Sequence, residues 1–303
     1  STLSNFMYEV PPRLKSGNSK DTWQLINMGW QIRKLGKKKM REFLRVIGLN
    51  IADELEDRKV QEDAISQARR ELKDCYRGTA SGPLFTALLA TIKKYDIPQE
   101  YFEELVNGVE MDFTINRYPT WSDLEKYCYR VASMVGLICT SIFGTKPDEN
   151  MKQYAIKMGL GLQIVNIMRD VTEDAKRGRI YFPQDELVQH QLTDKDILEG
   201  LYDERFISLM KQQGERAREY FLEGRRLLPL LDNRSRMCVN VMQGFYFEIL
   251  KRIEQKNYNV TAERVGLTSK EKIFAIARLW LTALLNTKSV SYTHLTLPTI
   301  LLV

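Results

Sequence analysis

The sequence predicts an all-α protein built as a single domain, and three observations carry that expectation. Apolar residues recur at intervals of three and four over long windows, as at Phe85, Leu88, Leu89 and Ile92 and again at Tyr154, Met158, Leu162, Val165 and Met168; this spacing gathers them on one helix face. Alternating β-branched runs bounded by turn residues, the signal of strands, do not occur, nor does an internal repeat. The composition is that of a globular chain: 303 residues, 44% hydrophobic and 28% charged, with 9 Pro and 17 Gly. It supports one large core and excludes a disordered, collagenous or disulfide-built protein.

Along the chain, glycine and proline punctuate the helices. Breaks are expected at 78–83, Pro98, Pro119, 144–147, 178–183 and Pro229. Proline lacks the N–H that a helix interior uses, and glycine takes up the left-handed conformation of helix ends at low cost. Helices of roughly fifteen to thirty residues are expected between them. The nearly charge-free stretch 131–144 is shorter than the roughly 20 apolar residues that span a bilayer. Gly159 and Gly161 lack a third glycine and a preceding strand, so they do not form a dinucleotide-binding turn, and no nicotinamide (NADPH) site is evident elsewhere.

The formal charge is +6, a sign compatible with nucleic acid, anionic lipid or phosphorylated substrates. Residues 1–50 hold ten basic and three acidic residues, so the remainder is close to neutral. No basic surface interleaved with aromatics follows, so nucleic acid is not an expected partner. Cys75, Cys128, Cys139 and Cys238 show neither CxxC nor histidine at zinc spacing, which fits a reducing compartment. No charged-then-apolar leader opens the chain, and the expectation is a cytoplasmic protein, with peripheral contact at the inner face of the membrane left open. Residues 289–303 carry no charge and no periodicity; 290–299 resemble the translation of a sequencing adapter, and the tail is set aside from the fold. The chain then divides into a basic segment, 1–34, whose authenticity is open, an all-α body, 35–288, and this tail.

Two acidic motifs suggest chemistry. Asp53 with Asp57, and Asp170 with Asp174, are each four residues apart in helical pattern, on one face, where unpaired like charges cost about 0.2 to 0.5 kcal/mol. Either pair alone is as readily a solvated acidic face. The second has a more informative neighbourhood: Gln163, Asn166, Asp170 and Asp174 form one polar stripe among Ile164, Val165, Ile167 and Met168, followed by Lys176, Arg177 and Arg179. Polar groups within an apolar helix need partners, and carboxylates beside cations suit Mg²⁺ bridging to a phosphate.

The run Gln-Ile-Val-Asn-Ile-Met-Arg-Asp-Val-Thr-Glu-Asp-Ala-Lys-Arg-Gly-Arg-Ile-Tyr-Phe-Pro at 163–183 resembles the second aspartate-rich signature of the squalene and phytoene synthase family. Tyr-Cys-Tyr-Arg-Val-Ala-Ser-Met-Val-Gly at 127–136 resembles the family's other hallmark, and Ala-Asp-Glu-Leu-Glu-Asp at 52–57 its first DxxxD. Glu110-Met-Asp112, Tyr246 in Phe-Tyr-Phe-Glu-Ile-Leu, and Arg264 with Lys272 sit where members carry substrate contacts. The resemblance runs from about 35 to 281, and within the family looks most like the presqualene diphosphate synthases of bacterial hopanoid pathways.

The resemblance implies an all-α isoprenoid (trans-prenyltransferase) fold with a central active-site cavity. It implies head-to-head condensation of two farnesyl diphosphates to presqualene diphosphate, with the reaction to squalene left open. Mg²⁺ would be held by Asp53, Asp57, Asn166, Asp170 and Asp174. Substrate contacts would come from Asp112, Gln163, Asn166, Arg169, Arg179, Tyr246, Arg264 and Lys272, the cations among them clamping phosphate. Tyr127, counted with the four aspartates as catalytic, and Tyr129, Phe245 and Tyr246 are candidates to stabilise a carbocation, by about 0.5 to 2 kcal/mol each. The chain departs from the family near the first motif, where Asn27-Met28, Val46 and Asn50 replace a Ser-Phe pair, a Tyr and an Arg; an amide does not replace a bidentate guanidinium. Alternatives are a phytoene synthase using the C20 substrate geranylgeranyl diphosphate, and a non-catalytic relative acting as an assembly factor.

Overall fold

The computed structural model describes residues 58–262, 264–266, 268 and 271. Asp53, Asp57, Lys272, Val46 and Asn50 lie outside the described residues, as do the segments 1–34 and 289–303. Among the described residues the elements are α1 (Arg58–Arg77), α2 (Gly82–Tyr95), α3 (Gln99–Thr114), α4 (Trp121–Cys128), a π-helical turn (Tyr129–Ser133), α5 (Met134–Phe143), α6 (Met151–Arg169), α7 (Val171–Lys176), α8 (Gln184–Gln189), α9 (Asp194–Leu198), α10 (Glu204–Gly224), a 3₁₀ helix (Arg225–Leu230) and α11 (Asn233–Gln255). No β-strand is present among them, only an isolated antiparallel bridge between Thr145 and Leu231. No helix of the described residues is long and apolar enough to cross a membrane.

The helix boundaries follow local chemistry. Thr120 and Asp123 form a reciprocal capping box at the start of α4, as Thr193 and Asp196 do at α9, satisfying N–H groups that a first helical turn leaves open. The Asp203 carboxylate accepts from the N–H groups of Arg205 (3.0 Å) and Phe206 (3.1 Å) to open α10. Pro98 and Pro183 stand just before α3 and α8. Pro229 lies inside the 3₁₀ helix, so the break expected there comes earlier, at Gly224.

Helix α6 is the centre of the bundle. It packs against α4, the π turn, α5, α10, the 3₁₀ helix and α11, and eleven of its residues from Ala155 to Arg169 are buried. Such enclosure requires close backbone approach. A Cβ on Gly159 would sit 2.6 Å from Ser133 Cα and 2.8 Å from Ser133 N, so only glycine lets α6 lie directly on the π turn. The Ser133 hydroxyl fixes the contact by donating to the Ile156 carbonyl (2.9 Å).

Two departures from the sequence expectation bear on the site. The helical run from 121 to 143 is not uniform: Met134 N–H reaches back to the Tyr129 carbonyl, a π turn that inserts one residue and rotates the faces beyond it. The polar stripe of 163–174 is not one straight helix either, because α6 ends at Arg169 and Asp170 takes φ −100° and ψ 14°. Asp170 N–H still bonds to Asn166 O and Asp174 N–H to Asp170 O, both at 2.9 Å. The stripe therefore keeps its register while it bends.

Candidate active site

The bend at Asp170 sets two polar groups side by side. On one, Asp170 Oδ1 accepts from Arg169 Nε (2.8 Å) and from Arg264 Nε (2.7 Å), and Oδ2 accepts from Arg169 Nη2. The Arg169 side chain is only 3% exposed, so Asp170 is a counter-charge to a buried guanidinium. Burial pushes the Asp170 carboxyl up, but the hydrogen bonds from Arg169 and Arg264 outweigh it and hold the pKa below the ordinary 3.8. Arg264 also lies 3.9 Å from Glu173.

The second group forms around Asp174, where Gly178 (φ 70°) turns the chain back. The N–H groups of Arg177 and Arg179 donate to the Asp174 carbonyl (3.0 and 2.9 Å), and Arg179 Nη2 donates to the Asp112 carbonyl on α3 (2.8 Å). Residues 178–185 then run beside 116–119: Ile180 N–H bonds to Asn116 O (3.1 Å), Gln184 N–H to Tyr118 O (2.9 Å) and Asp185 N–H to Pro119 O (3.1 Å). This pairing stacks Tyr181 on Tyr118 (centroids 5.8 Å apart) and on Tyr127 (5.2 Å). Tyr181 OH donates to Asp112 Oδ1 (2.9 Å), and Tyr127 OH donates to Tyr181 OH (3.4 Å). A hydrogen-bonded line thus runs Tyr127, Tyr181, Asp112.

The electrostatics of the two groups differ. Burial first, then the nearby Asp170, push the Asp174 carboxyl up to about 7, against the opposing pull of Arg179 and Arg177; Asp112 adds to the rise. Burial, followed by Asp112, raises the Tyr127 and Tyr181 hydroxyls well above 10, so both stay protonated.

One turn back along the stripe, Asn166 Nδ2 donates to Gln163 Oε1 (3.2 Å), while Asn166 Oδ1 is buried and accepts no hydrogen bond. A buried carbonyl oxygen without a donor calls for one or for a cation. With Asp170 and Asp174 it makes a set of hard oxygens on one face, a donor chemistry that suits Mg²⁺. Among the described residues no three His, Cys, Asp or Glu side chains gather closely enough to hold a metal alone; the remaining ligands would come from water, phosphate or the Asp53 and Asp57 pair. A small, partly open space beside Asp174, about 10 Å³ and lined by Ile167, Val171, Arg179 and Tyr181 among others, is of the size of one water.

Of the residues singled out from sequence, Asp112, Tyr127, Asp174 and Arg179 come together, and Arg169, Asp170 and Arg264 lie next to them. Gln163 and Asn166 extend the stripe. Tyr246 and Phe245 are buried in α11, which packs on α6, and Tyr129 is half-buried at the π turn. The sequence pattern did not single out Tyr181 or Tyr118, although Tyr181 follows Arg179 by two residues in the quoted motif.

The sequence of residues 41–271 matches the family model described as squalene/phytoene synthase. The chain belongs to the squalene/phytoene synthase family. Its members are prenyltransferases. The chain is similar to the 15-cis-phytoene synthase of Synechococcus elongatus, 36% identical over 220 residues that make up 68% of this chain and 71% of that one. It is similar also to phytoene synthase 1 of Arabidopsis thaliana, 35% identical over 75% of this chain and 55% of that one. Among solved structures, a squalene synthase from Alicyclobacillus acidocaldarius superposes with a TM-score of 0.67 at 24% identity, covering 84% of this chain and 98% of that one. A dehydrosqualene synthase bound to a ligand gives 0.70 at 24% identity, over 88% and 92%. These structures establish the shared helical isoprenoid synthase fold.

Proposed function

We propose that this member of the family condenses two prenyl diphosphates head to head, with Mg²⁺, and releases diphosphate. The observation that carries the reading is one juxtaposition: the oxygen stripe of Asn166, Asp170 and Asp174 stands beside the buried tyrosine stack of Tyr127, Tyr181 and Tyr118. The first suits a metal-bound diphosphate, the second a dry, electron-rich wall for an allylic cation.

Asn166, Asp170 and Asp174, with Asp53 and Asp57, would hold Mg²⁺, which when bound offsets the negative charge on the departing diphosphate. Arg264, 45% exposed, is placed to exchange its Asp170 partner for a phosphate oxygen, with Lys272 as a further cation. Arg169 is enclosed and instead orients Asp170. The C–O bond of one substrate breaks with the electron pair leaving on diphosphate, and the C2=C3 bond of the second captures the cation. Closure to a cyclopropane releases a proton. The line from Tyr127 through Tyr181 to Asp112 offers it a path, since both phenols stay protonated and relay while the Asp112 carboxylate accepts.

The identity to a named 15-cis-phytoene synthase favours the C20 substrate, geranylgeranyl diphosphate. The Tyr-Cys-Tyr-Arg-Val-Ala-Ser run favours farnesyl diphosphate and presqualene diphosphate. Both products are hydrophobic, which suits hand-over at a membrane surface. Incubating the purified protein with Mg²⁺ and each substrate in turn, then analysing lipids before and after phosphatase treatment, distinguishes the two. No diphosphate from either, with a folded protein, favours the non-catalytic relative.

A further inference from the structure

A largely buried ionic cluster joins α8 and α10. Arg216 of α10 donates through Nη2 to Glu186 Oε1 (2.6 Å) and through Nη1 to Glu186 Oε2 (3.2 Å) and Gln213 Oε1 (2.8 Å). Gln213 Nε2 in turn donates to Glu186 Oε2 (2.6 Å). The Glu186 side chain is 7% exposed and that of Arg216 18%. The flat face of the same guanidinium rests 3.8 Å from the centre of the Trp121 ring.

The two partners of Arg216 belong to the two segments that carry the tyrosines. Glu186 is on α8, five residues after Tyr181, and the chain between them is fixed by the backbone bonds of Gln184 and Asp185 to 118–119. Trp121 opens α4, six residues before Tyr127. One planar group thus grips α8 by its edge and α4 by its face, while α10, which carries it, is packed along α6. A lysine keeps the charge but has neither a fork nor a flat face.

We propose that Arg216 is a positioning residue that sets the approach of Tyr127 to Tyr181, acting through Glu186 and Trp121. The inference rests on the proposed role of those tyrosines for its effect on rate, but not for its effect on their geometry. Misplacement of a reacting group by about 1 Å can cost around a hundredfold in rate. On the proposed reading the tyrosines would face the reacting carbons rather than the diphosphate, so the loss should fall on kcat and not on KM.

The test is Arg216→Lys in the full chain, which leaves Glu186 a counter-charge. Ring resonances of ¹³C-labelled Tyr127 and Tyr181 should shift or broaden. With prenyl diphosphate and Mg²⁺, kcat should fall at least tenfold while KM stays within twofold. Adding Tyr181→Phe should lower kcat less than twofold further. If the lysine variant does not fold, the paired Glu186→Gln, Arg216→Met variant, which removes both charges together, should give the same tyrosine shifts and kcat loss. Unchanged tyrosine resonances in a folded variant overturn the proposal, as does a fall in melting temperature with kcat intact. If the parent protein turns over neither substrate, the reading of function fails, and the resonances alone decide the positioning role.

Discussion

Substitution of Gly159 by alanine adds a single methyl group at the tightest contact of the central helix. The new Cβ would lie 2.6 Å from Ser133 Cα, 2.8 Å from Ser133 N and 2.9 Å from the Ala132 carbonyl carbon, all of them backbone atoms. Carbon atoms sit at about 3.5 to 4.0 Å at optimal separation, so α6 and the π turn must part by about 1 Å. Overpacking of this kind costs about 1 to 3 kcal/mol, toward the upper end here because neither side is a flexible side chain. The helix gains about 1 kcal/mol when glycine becomes alanine, leaving a net loss of about 2 kcal/mol. For a domain of this size that lowers the melting temperature by about 4 to 8 °C. Gly214→Ala is the control: its Cβ would meet only side-chain atoms, at 3.7 Å, and the propensity gain should raise the melting temperature by about 2 to 4 °C. The displaced π turn begins two residues after Tyr127, so Gly159→Ala should also lose most turnover while Gly214→Ala keeps it. Thermal melts and urea titrations of both variants measure the pair, and a stabilised Gly159→Ala, or equal shifts of the same sign, would refute the reasoning.

Three further outcomes follow from the site. The Asp174 carboxyl is raised from 3.8 to about 7, so the folded state binds its proton more tightly than the unfolded one. Its contribution therefore falls as pH rises from about 4 to about 7, by up to about 4 kcal/mol. In the presence of a chelator, Asp174→Asn should be more stable than the parent at pH 8, with a gap that closes toward pH 4; a gap independent of pH in urea titrations contradicts the assignment. Asp170→Asn should do the opposite, because it removes a charged hydrogen-bond partner of the enclosed Arg169, a loss of about 1.5 to 3 kcal/mol; calorimetry showing no destabilisation would count against that pairing. Tyr181→Phe removes the hydroxyl between Tyr127 and Asp112, and should cost about 1 to 2 kcal/mol of stability and at least tenfold in turnover, whereas wild-type rates would remove the relay.

Much of this arrangement is legible in the sequence because it is local. The stripe of Gln163, Asn166, Asp170 and Asp174 keeps its register in space, since helical spacing fixes which side chains share a face, and apart from Pro229 the glycine and proline breaks fall at helix ends because they act on their own backbone. What spacing does not reveal is tertiary. The bend at Asp170 is stabilised by Arg264, ninety-four residues away in sequence. The tyrosine stack exists because 178–185 run beside 116–119, and no periodicity announces that pairing. Gly159 and Gly161 read from sequence only as a failed nucleotide motif; in space Gly159 admits the π turn, and the π turn itself has no signature in a window of Tyr-Arg-Val-Ala-Ser. Arg216 reads as one more charge on α10 until Glu186 and Trp121 are seen to meet it.

The central claim is that the acidic stripe and the tyrosine stack together make a head-to-head prenyl diphosphate condensing site. Diphosphate release from geranylgeranyl or farnesyl diphosphate, followed alongside the lipid product, tests it most directly. The account predicts metal-dependent release of diphosphate with formation of a C40 or C30 condensation product, abolished by chelation and by Asp174→Asn. A folded protein that releases no diphosphate from either substrate with Mg²⁺ present would contradict it.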